Sequence, residues 1–405
     1  MKVMTIFFFF TTTIFALPIR KGERFKVQNT GEFIVKTNFP KELENARHLG
    51  ANYFLVSDIS KITNAEITMP NFTYYGDYLE KNLEEWNPDD PMFGDQYHHV
   101  MIKSSKAWSK TRGSKEIIVA VTDNEFEMDH DDLTGQWWVN EGEIPNNGID
   151  DDNNGYVDDI NGWDFIERGP NPDHDDGPSH GTHVAGIIAA KGNNGVGVIG
   201  VAPKVKIMPL RWYGEGRRWN SALILETYLY AVNNGAKIIN TSYNIDNVVD
   251  DQAYLEAIKY IVKNDVLLFN SAGNNSRKNP PRQIIEEIVL VCSVQTKKGR
   301  NSDRVSRFSN FGTGIDVCAP GDPILAPVQG RYQGKSRYGE LRGTSMASPI
   351  AAGIAALIWS DNPNFSAQEV REKLEETADD IQRNNRSRYK GLIGKGRVNA
   401  FKAVR

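Results

Sequence analysis

The chain has 405 residues, 40% of them hydrophobic, and a formal net charge of −5, enough for a full-sized core and a smaller second unit. That acidic balance argues against nucleic acid as a partner. Beyond the N-terminus no tract is apolar and long enough to cross a bilayer.

Lys2 precedes an apolar run through Phe7-Phe8-Phe9-Phe10 to Phe15, then Ala16 and Pro18. A charged start, a short apolar stretch and a small-residue end read as a secretory signal peptide over 1–17 and predict a secreted or periplasmic protein. An uncleaved anchor is the competing reading. Between 31 and 70 the pattern is mixed: an extended Glu32-Phe33-Ile34-Val35-Lys36, a helix-like 41–49 and an apolar Tyr53-Phe54-Leu55-Val56. Trp86-Asn87-Pro88-Asp89-Asp90-Pro91 then reads as a linker, because two prolines among acidic turn formers break any periodicity.

Beyond the linker, apolar runs too continuous for half-exposed strands alternate with helical patterns, which indicates a parallel sheet covered on both faces. Strands are expected over 117–121, 206–210, 237–241, 266–271 and 288–294. Helices are expected over 221–234, stopped by Gly235, and over 251–263. Ser366 and Glu369 form a capping box for a helix reaching about 378. Cys292 and Cys318, the only two cysteines, lie in apolar strand-like runs. They are expected as buried free thiols, with a disulfide permitted if the strands are neighbours.

Three separated segments supply the parts of a hydrolytic site. Asp123 follows a buried-strand pattern, His180 opens an apolar helix pattern, and Ser345 sits in Gly343-Thr344-Ser345-Met346-Ala347-Ser348-Pro349. A serine hydroxyl is a weak nucleophile at neutral pH and needs a base, itself oriented by a carboxylate. His183 lies one turn beyond His180, and chemistry alone does not choose between them; the pair could also be half of a metal site. Small residues after Ser345 suit a buried helix, whose N-terminus favours negative charge.

The order Asp, His, Ser separates this chain from other folds that carry the same triad. Through Val119-Ala120-Val121-Thr122-Asp123, His180-Gly181-Thr182-His183-Val184-Ala185-Gly186 and the Ser345 segment, the chain from about Asn87 onward resembles the subtilisin-like serine proteases. The resemblance implies an α/β fold, subtilisin-like and doubly wound, with a mainly parallel sheet and helices on both faces. A small α+β propeptide-like region would precede it over 18–85, the catalytic domain filling 86–405. A permanent accessory domain is the alternative for 18–85. The implied activity is that of a secreted serine endopeptidase acting as a monomer on protein or peptide substrates, with its own propeptide as inhibitor. By resemblance His180 is the base and His183 structural. Asn274, in Ser271-Ala272-Gly273-Asn274, joins Ser345 in the oxyanion hole, and Ser242, Tyr243, Asn244, Ala272 and Gly273 line the substrate.

Two departures bear on activity. The family pattern has Thr-Gly after the aspartate where this chain has Asn124-Glu125, and Ser-Leu-Gly where it has Ser242-Tyr243-Asn244. They leave open a catalytically impaired binding protein on the same fold, or an esterase or transpeptidase using the same acyl-enzyme. The stretch from Asn193 to Pro203 resembles a subtilisin calcium loop, with Asp132, Asn194, Val196 and Val198 as implied ligands. Between Asp123 and His180 lies an acidic insert, 140–177, with twelve Asp or Glu and one Arg. Its Asp150, Asp152, Asn154, Gly155 and Asp158 match the start of an EF-hand loop, although the twelfth position is Asn161. A solvated acidic loop fits equally well. The basic run 383–397 reads as solvated surface.

Overall fold

In a computed structural model of the chain, residues 85–405 are described apart from 174–178, 215–219, 244, 298 and 299. For 296, 297, 300–302 and six strands before residue 77, the description is of the backbone alone. The chain divides into two units, Met1–Leu83 and Glu84–Arg405.

In the first unit β1 (Met4–Phe10) pairs antiparallel with β2 (Thr13–Ile19). The strands β3 (Phe25–Lys36), β4 (Arg47–Gly50), β5 (Tyr53–Val56) and β6 (Ile67–Gly76) form an antiparallel sheet in the order β4-β5-β3-β6. The helix expected over 41–49 is corrected at its end, where Arg47–Gly50 pairs with β5; edge pairing with an apolar strand overrides local helical spacing. Residues 41–46 lie outside the described residues.

The second unit is built on parallel strands β7 (Ile118–Asp123), β9 (Lys206–Arg211), β10 (Ile238–Thr241), β11 (Leu267–Ser271) and β12 (Ile288–Lys297). All five match the expected strands to within a few residues. The two-residue β8 (Trp163–Asp164) extends one edge and β13 (Arg300–Val305) the other, giving the order β13-β12-β11-β10-β7-β9-β8, while β14 (Val317–Asp322) pairs with β12 off this path. The chain leaves β7 toward β9 and leaves β10 toward β11, in opposite directions. The crevice beyond the carboxyl ends of β7 and β10 is therefore the switch point where open α/β sheets place their ligands.

Alternate residues of each strand serve opposite faces. Val119 and Val121 pack with α3 (His180–Ala189) and α6 (Thr344–Asp361), whereas Ala120 and Leu268 pack toward α4 (Ser221–Asn233) and α5 (Gln252–Lys263). Asn220 and Asp251 cap α4 and α5, and the capping box of Ser366 and Glu369 opens α7 (Ala367–Glu376) as its sequence predicts. Short helices α1 (Tyr97–Ile102), α2 (Ser104–Trp108) and α8 (Ala400–Ala403) complete the helical set. The hairpin β15 (Ile324–Tyr332) and β16 (Lys335–Leu341) packs on α3; its alternation is too polar to read as a core strand. Cys292 and Cys318 face each other in the register of β12 and β14 and are joined as a disulfide. That corrects the expectation of free thiols. Adjacent parallel strands put both side chains on one face, a neighbourhood invisible from a separation of 26 residues. Among the described residues no helix is long and apolar enough to cross a membrane.

Candidate active site

Asp123 ends β7 with its carboxylate fully buried, and His180 is the first residue of α3. His180 Nδ1 lies 2.8 and 2.9 Å from the two carboxylate oxygens of Asp123, so the ring's other nitrogen faces away from the acid. Burial pulls the His180 pKa down, but the Asp123 charge, its hydrogen bond and the Glu125 charge outweigh that, and the net direction is up. His183 is different. Its Nε2 donates to the carbonyls of Ile324 and Gly339 at 3.0 and 3.2 Å, and burial depresses its pKa to about 4. The two histidines that chemistry alone could not separate thus have distinct settings.

The departures Asn124 and Glu125 turn out to hold the start of α3. Ser179, the residue before α3, has φ of 61° and makes no side-chain cap. Glu125 Oε1 instead accepts the Ser179 N–H, and Asn124 Oδ1 accepts that of Gly181 at 3.2 Å. Thr182 Oγ1 accepts the Glu127 N–H at 2.9 Å. Residues 123–127 and 179–182 therefore interlock and satisfy donors that a helix N-terminus otherwise leaves orphaned. Gly181 is required here, since a Cβ would sit 2.3 Å from the Glu125 carbonyl oxygen.

Ser345 is the second residue of α6, which packs against α3. Its Oγ donates to the Ser242 carbonyl at 2.8 Å, and Ser242 Oγ donates back to the Ser345 carbonyl at 2.8 Å. The structure thus brings Asp123 and His180 into contact and bonds Ser345 to the end of β10; His180 Nε2 makes no hydrogen bond among the described residues. The Ser345 N–H belongs to the first turn, where no intrahelical acceptor exists.

Asn274 accepts at Oδ1 from the Thr344 N–H and hydroxyl, each at 2.9 Å. Its Nδ2 has no acceptor among the described residues and lies beside Gly343, where a Cβ would come within 3.3 Å of it. Gly273 N–H donates to Thr344 Oγ1 at 3.0 Å, and the Ala272 carbonyl accepts from Asn310 Nδ2 at 2.9 Å. Ala272 and Ser242 are buried, and the Tyr243 hydroxyl bonds Thr122 Oγ1 and the Tyr228 hydroxyl at 3.1 and 3.2 Å. Asn244 lies outside the described residues. Sequence reasoning missed Thr344, Asn310 and Tyr213, whose hydroxyl lies 2.9 Å from Asp123 Oδ1. Thr344 was legible as a neighbour of Ser345, whereas Asn310 and Tyr213 reach the site only through the fold.

Away from this crevice, Asp132 is fully buried, accepting from Asn194 Nδ2 and the Val198 N–H at 2.9 Å each. Burial pushes its pKa up to about 6, those bonds opposing the shift, and nearby Asp90 adds to it. Asp90, which the sequence reading left in the linker, accepts the Asn193 N–H at 2.8 Å and that of Asn194 at 3.3 Å. Val196 contributes backbone to the same loop, its N–H donating to Asn194 Oδ1 at 3.0 Å. Asp132 and Asp90 are two buried carboxylates with no basic partner among the described residues, the charge and donor type that a hard divalent cation takes. In the insert, carboxylate oxygens of Glu143, Asp150 and Asp152 lie within 4.8 Å of one another. Asn154 donates to Asp152 Oδ2 at 3.1 Å, and Asp158 accepts from the Asn147 and Gly148 N–H groups at 3.0 and 2.9 Å. Glu143, outside the twelve-residue window, was missed.

Residues 114–395 match the subtilase family model. The chain is 31% identical over 354 residues to the thermophilic serine proteinase of Bacillus sp. (strain AK1), covering 86% of this chain and 78% of that one. It is 32% identical over 322 residues to thermitase of Thermoactinomyces vulgaris, covering 79% and 99%. Among solved structures, a protease from Pseudoalteromonas arctica superposes with a TM-score of 0.61 at 28% identity, over 78% of this chain and 98% of that one. The chain therefore belongs to the subtilase family and is a subtilisin-like serine endopeptidase.

Proposed function

We propose that Ser345 is the nucleophile, His180 its general base, Asp123 the group that orients the base, and Asn274 with the Ser345 N–H the oxyanion hole. The observation that carries this reading is the Asp123–His180 contact at 2.8 Å at the start of α3, which packs against α6, the helix that bears Ser345 in its first turn. Turning the Ser345 hydroxyl from the Ser242 carbonyl toward His180 Nε2 lets the imidazole take its proton as Oγ attacks the peptide carbonyl. Apo hydrogen bonds at such sites commonly complete only with substrate. The carbonyl oxygen gains charge where Asn274 Nδ2 and the Ser345 N–H donate. His180 then gives its proton to the departing amine, leaving an acyl-enzyme. Water, deprotonated by His180, attacks the ester and releases Ser345. Ser242 to Asn244 and Ala272-Gly273 would flank the substrate backbone.

The apolar leader 1–17 supports export, 18–85 acts as propeptide and inhibitor, and the catalytic unit works as a monomer outside the cell. Asp132, Asn194, Val196 and Val198, with Asp90, would hold a calcium ion, and Asp150, Asp152, Asn154 and Asp158, with Glu143, a second. Bound calcium would neutralise these clustered carboxylates. The reading as an impaired binding protein loses its basis at Asn124 and Glu125, whose side chains hold α3. A serine-directed fluorophosphonate tests the proposal: it should label wild type at Ser345, and Ser345→Ala should lose label and lower kcat by roughly 10⁶. Undiminished peptidase activity in that variant would refute it.

A further inference from the structure

We infer that Tyr213 is a positioning residue of this active site, its phenol hydroxyl fixing the Asp123 carboxylate and, through it, the His180 ring. The inference rests on the proposed roles of Asp123, His180 and Ser345 and adds a member that no motif announces.

Tyr213 lies two residues past β9, the neighbour of β7, and register places Asp123 opposite Arg211. The Trp212 N–H donates to the Asp123 carbonyl at 3.1 Å, which carries the chain straight from that pairing into the crevice. There the Tyr213 O–H donates to Asp123 Oδ1 at 2.9 Å, the same oxygen that accepts the Asn124 N–H at 2.9 Å. Two donors, one just past β7 and one just past β9, converge on Oδ1 while His180 Nδ1 spans both oxygens, and a carboxylate held in this way does not rotate freely about its Cβ–Cγ bond. Asn124 Oδ1 accepts from the Gly181 N–H, and the side-chain donor to Asp123 Oδ1 is the Tyr213 hydroxyl.

The phenol is itself held. Its ring stands edge-on to Trp212 at 5.3 Å and to Tyr243 at 5.7 Å between centroids, a geometry aromatic quadrupoles favour. Burial, then the adjacent Asp123 charge, drive the Tyr213 pKa well upward, so the group stays a donor wherever His180 works as a base. Among the described residues, the charged or titratable groups acting on His180 are Asp123, Glu125 and His183, with Tyr213 acting through Asp123. Proton transfer from Ser345 makes an imidazolium whose Nδ1–H must stay on the carboxylate. Tyr213 keeps that acceptor in line, and it draws off part of the negative charge that would otherwise over-stabilise the imidazolium.

Tyr213→Phe removes only the hydroxyl and keeps the ring. It should lower kcat about tenfold, the size expected for one hydrogen bond to a charged group, with KM changed less than about twofold. The acid limb of the kcat/KM profile should move upward by a few tenths of a pH unit, because Asp123 then holds the imidazolium more tightly. In an Asp123→Asn background the same substitution should cost little further, since the effect runs through the carboxylate. A packing role alone would move neither the limb nor the cycle. If Tyr213→Phe does not fold, the full-length wild type still gives the answer, as a slowly exchanging Tyr213 hydroxyl proton with a magnetic contact to the His180 Nδ1 proton. Unchanged kcat and pH limb, an equal loss in the Asp123→Asn background, or no such contact would each overturn the inference. Fluorophosphonate labelling of wild type separates the two ideas: a labelled enzyme indifferent to Tyr213→Phe sinks this inference alone, and an unlabelled one sinks the proposed function with it.

Discussion

Thr344 grips the Asn274 amide oxygen with two donors, its N–H and its hydroxyl, both at 2.9 Å. Because both are donors, they settle which end of the amide is oxygen and leave Nδ2 as its one donating end. Asn274→Ala should lower kcat roughly 10²–10³-fold with little change in KM. Thr344→Val removes the hydroxyl alone and should give a smaller loss in the same parameter. Steady-state kinetics on one peptide substrate decides both, and a loss confined to KM would count against the oxyanion role.

The pH profile should report Glu125. His180 must be neutral to act as base, and its pKa lies above the usual 6.5, so activity should rise with pH through a point above that value. Glu125→Gln keeps an oxygen for the Ser179 N–H and removes the charge. The acid limb should then shift to lower pH, and an unmoved limb would show that Glu125 acts only as a helix cap.

Calcium dependence carries its own pH signature. Asp132 has a pKa pushed up to about 6 without metal, so protons and a cation compete for it as pH falls through that value. The Tm in calcium should exceed the Tm in chelator at pH 7.5, and the gap should shrink as pH drops through about 6. Taking the difference between two media cancels groups that titrate alike in both. A gap of zero at pH 7.5 would remove the calcium proposal.

His183 should make the fold acid-sensitive. Its pKa of about 4 lies below the ordinary 6.5, so the unfolded chain binds a proton more readily than the native one. Stability is present in full above 6.5 and is lost as pH falls from there toward 4. The loss amounts to at most about 3 kcal/mol. His183→Gln can still donate to the carbonyls of Ile324 and Gly339, and should flatten that slope in denaturant titrations between pH 7 and 4. An equally steep slope in the variant would assign it to other groups.

What could be read from the chain, and what could not, divides along contact range. The five central strands and the Ser366 capping box were legible because a continuous apolar run or a four-residue signature is a local property. The segments that carry Asp123, His180, Asn274 and Ser345 were legible as motifs. The function of Asn124 and Glu125 was not, since their partners Ser179 and Gly181 lie more than fifty residues on, at separations of 57 for Asn124–Gly181 and 54 for Glu125–Ser179. Seen alone they look like an intrusion near the site. Tyr213 was hidden for the same reason, its ring reaching Asp123 only once β9 lies beside β7. The disulfide needed β14 to be placed next to β12, and the hairpin of β15 and β16 needed α3 to pack on.

The interlock of residues 123–127 with 179–182 also closes the base of the excursion threaded between them, which returns to the core through Leu133, Trp137 and β8. Because the two ends of that excursion are stitched shut at its base, its exposed tip at 144–149 can change length while the imidazole stays put. Lengthening a closed loop costs only about 0.6 kcal/mol per doubling. An exposed tip fastened in this way offers a grafting point: a foreign recognition loop spliced into 144–149 would leave β8 and the interlock in place and bring new proteins to the enzyme, with the chemistry beneath unaltered.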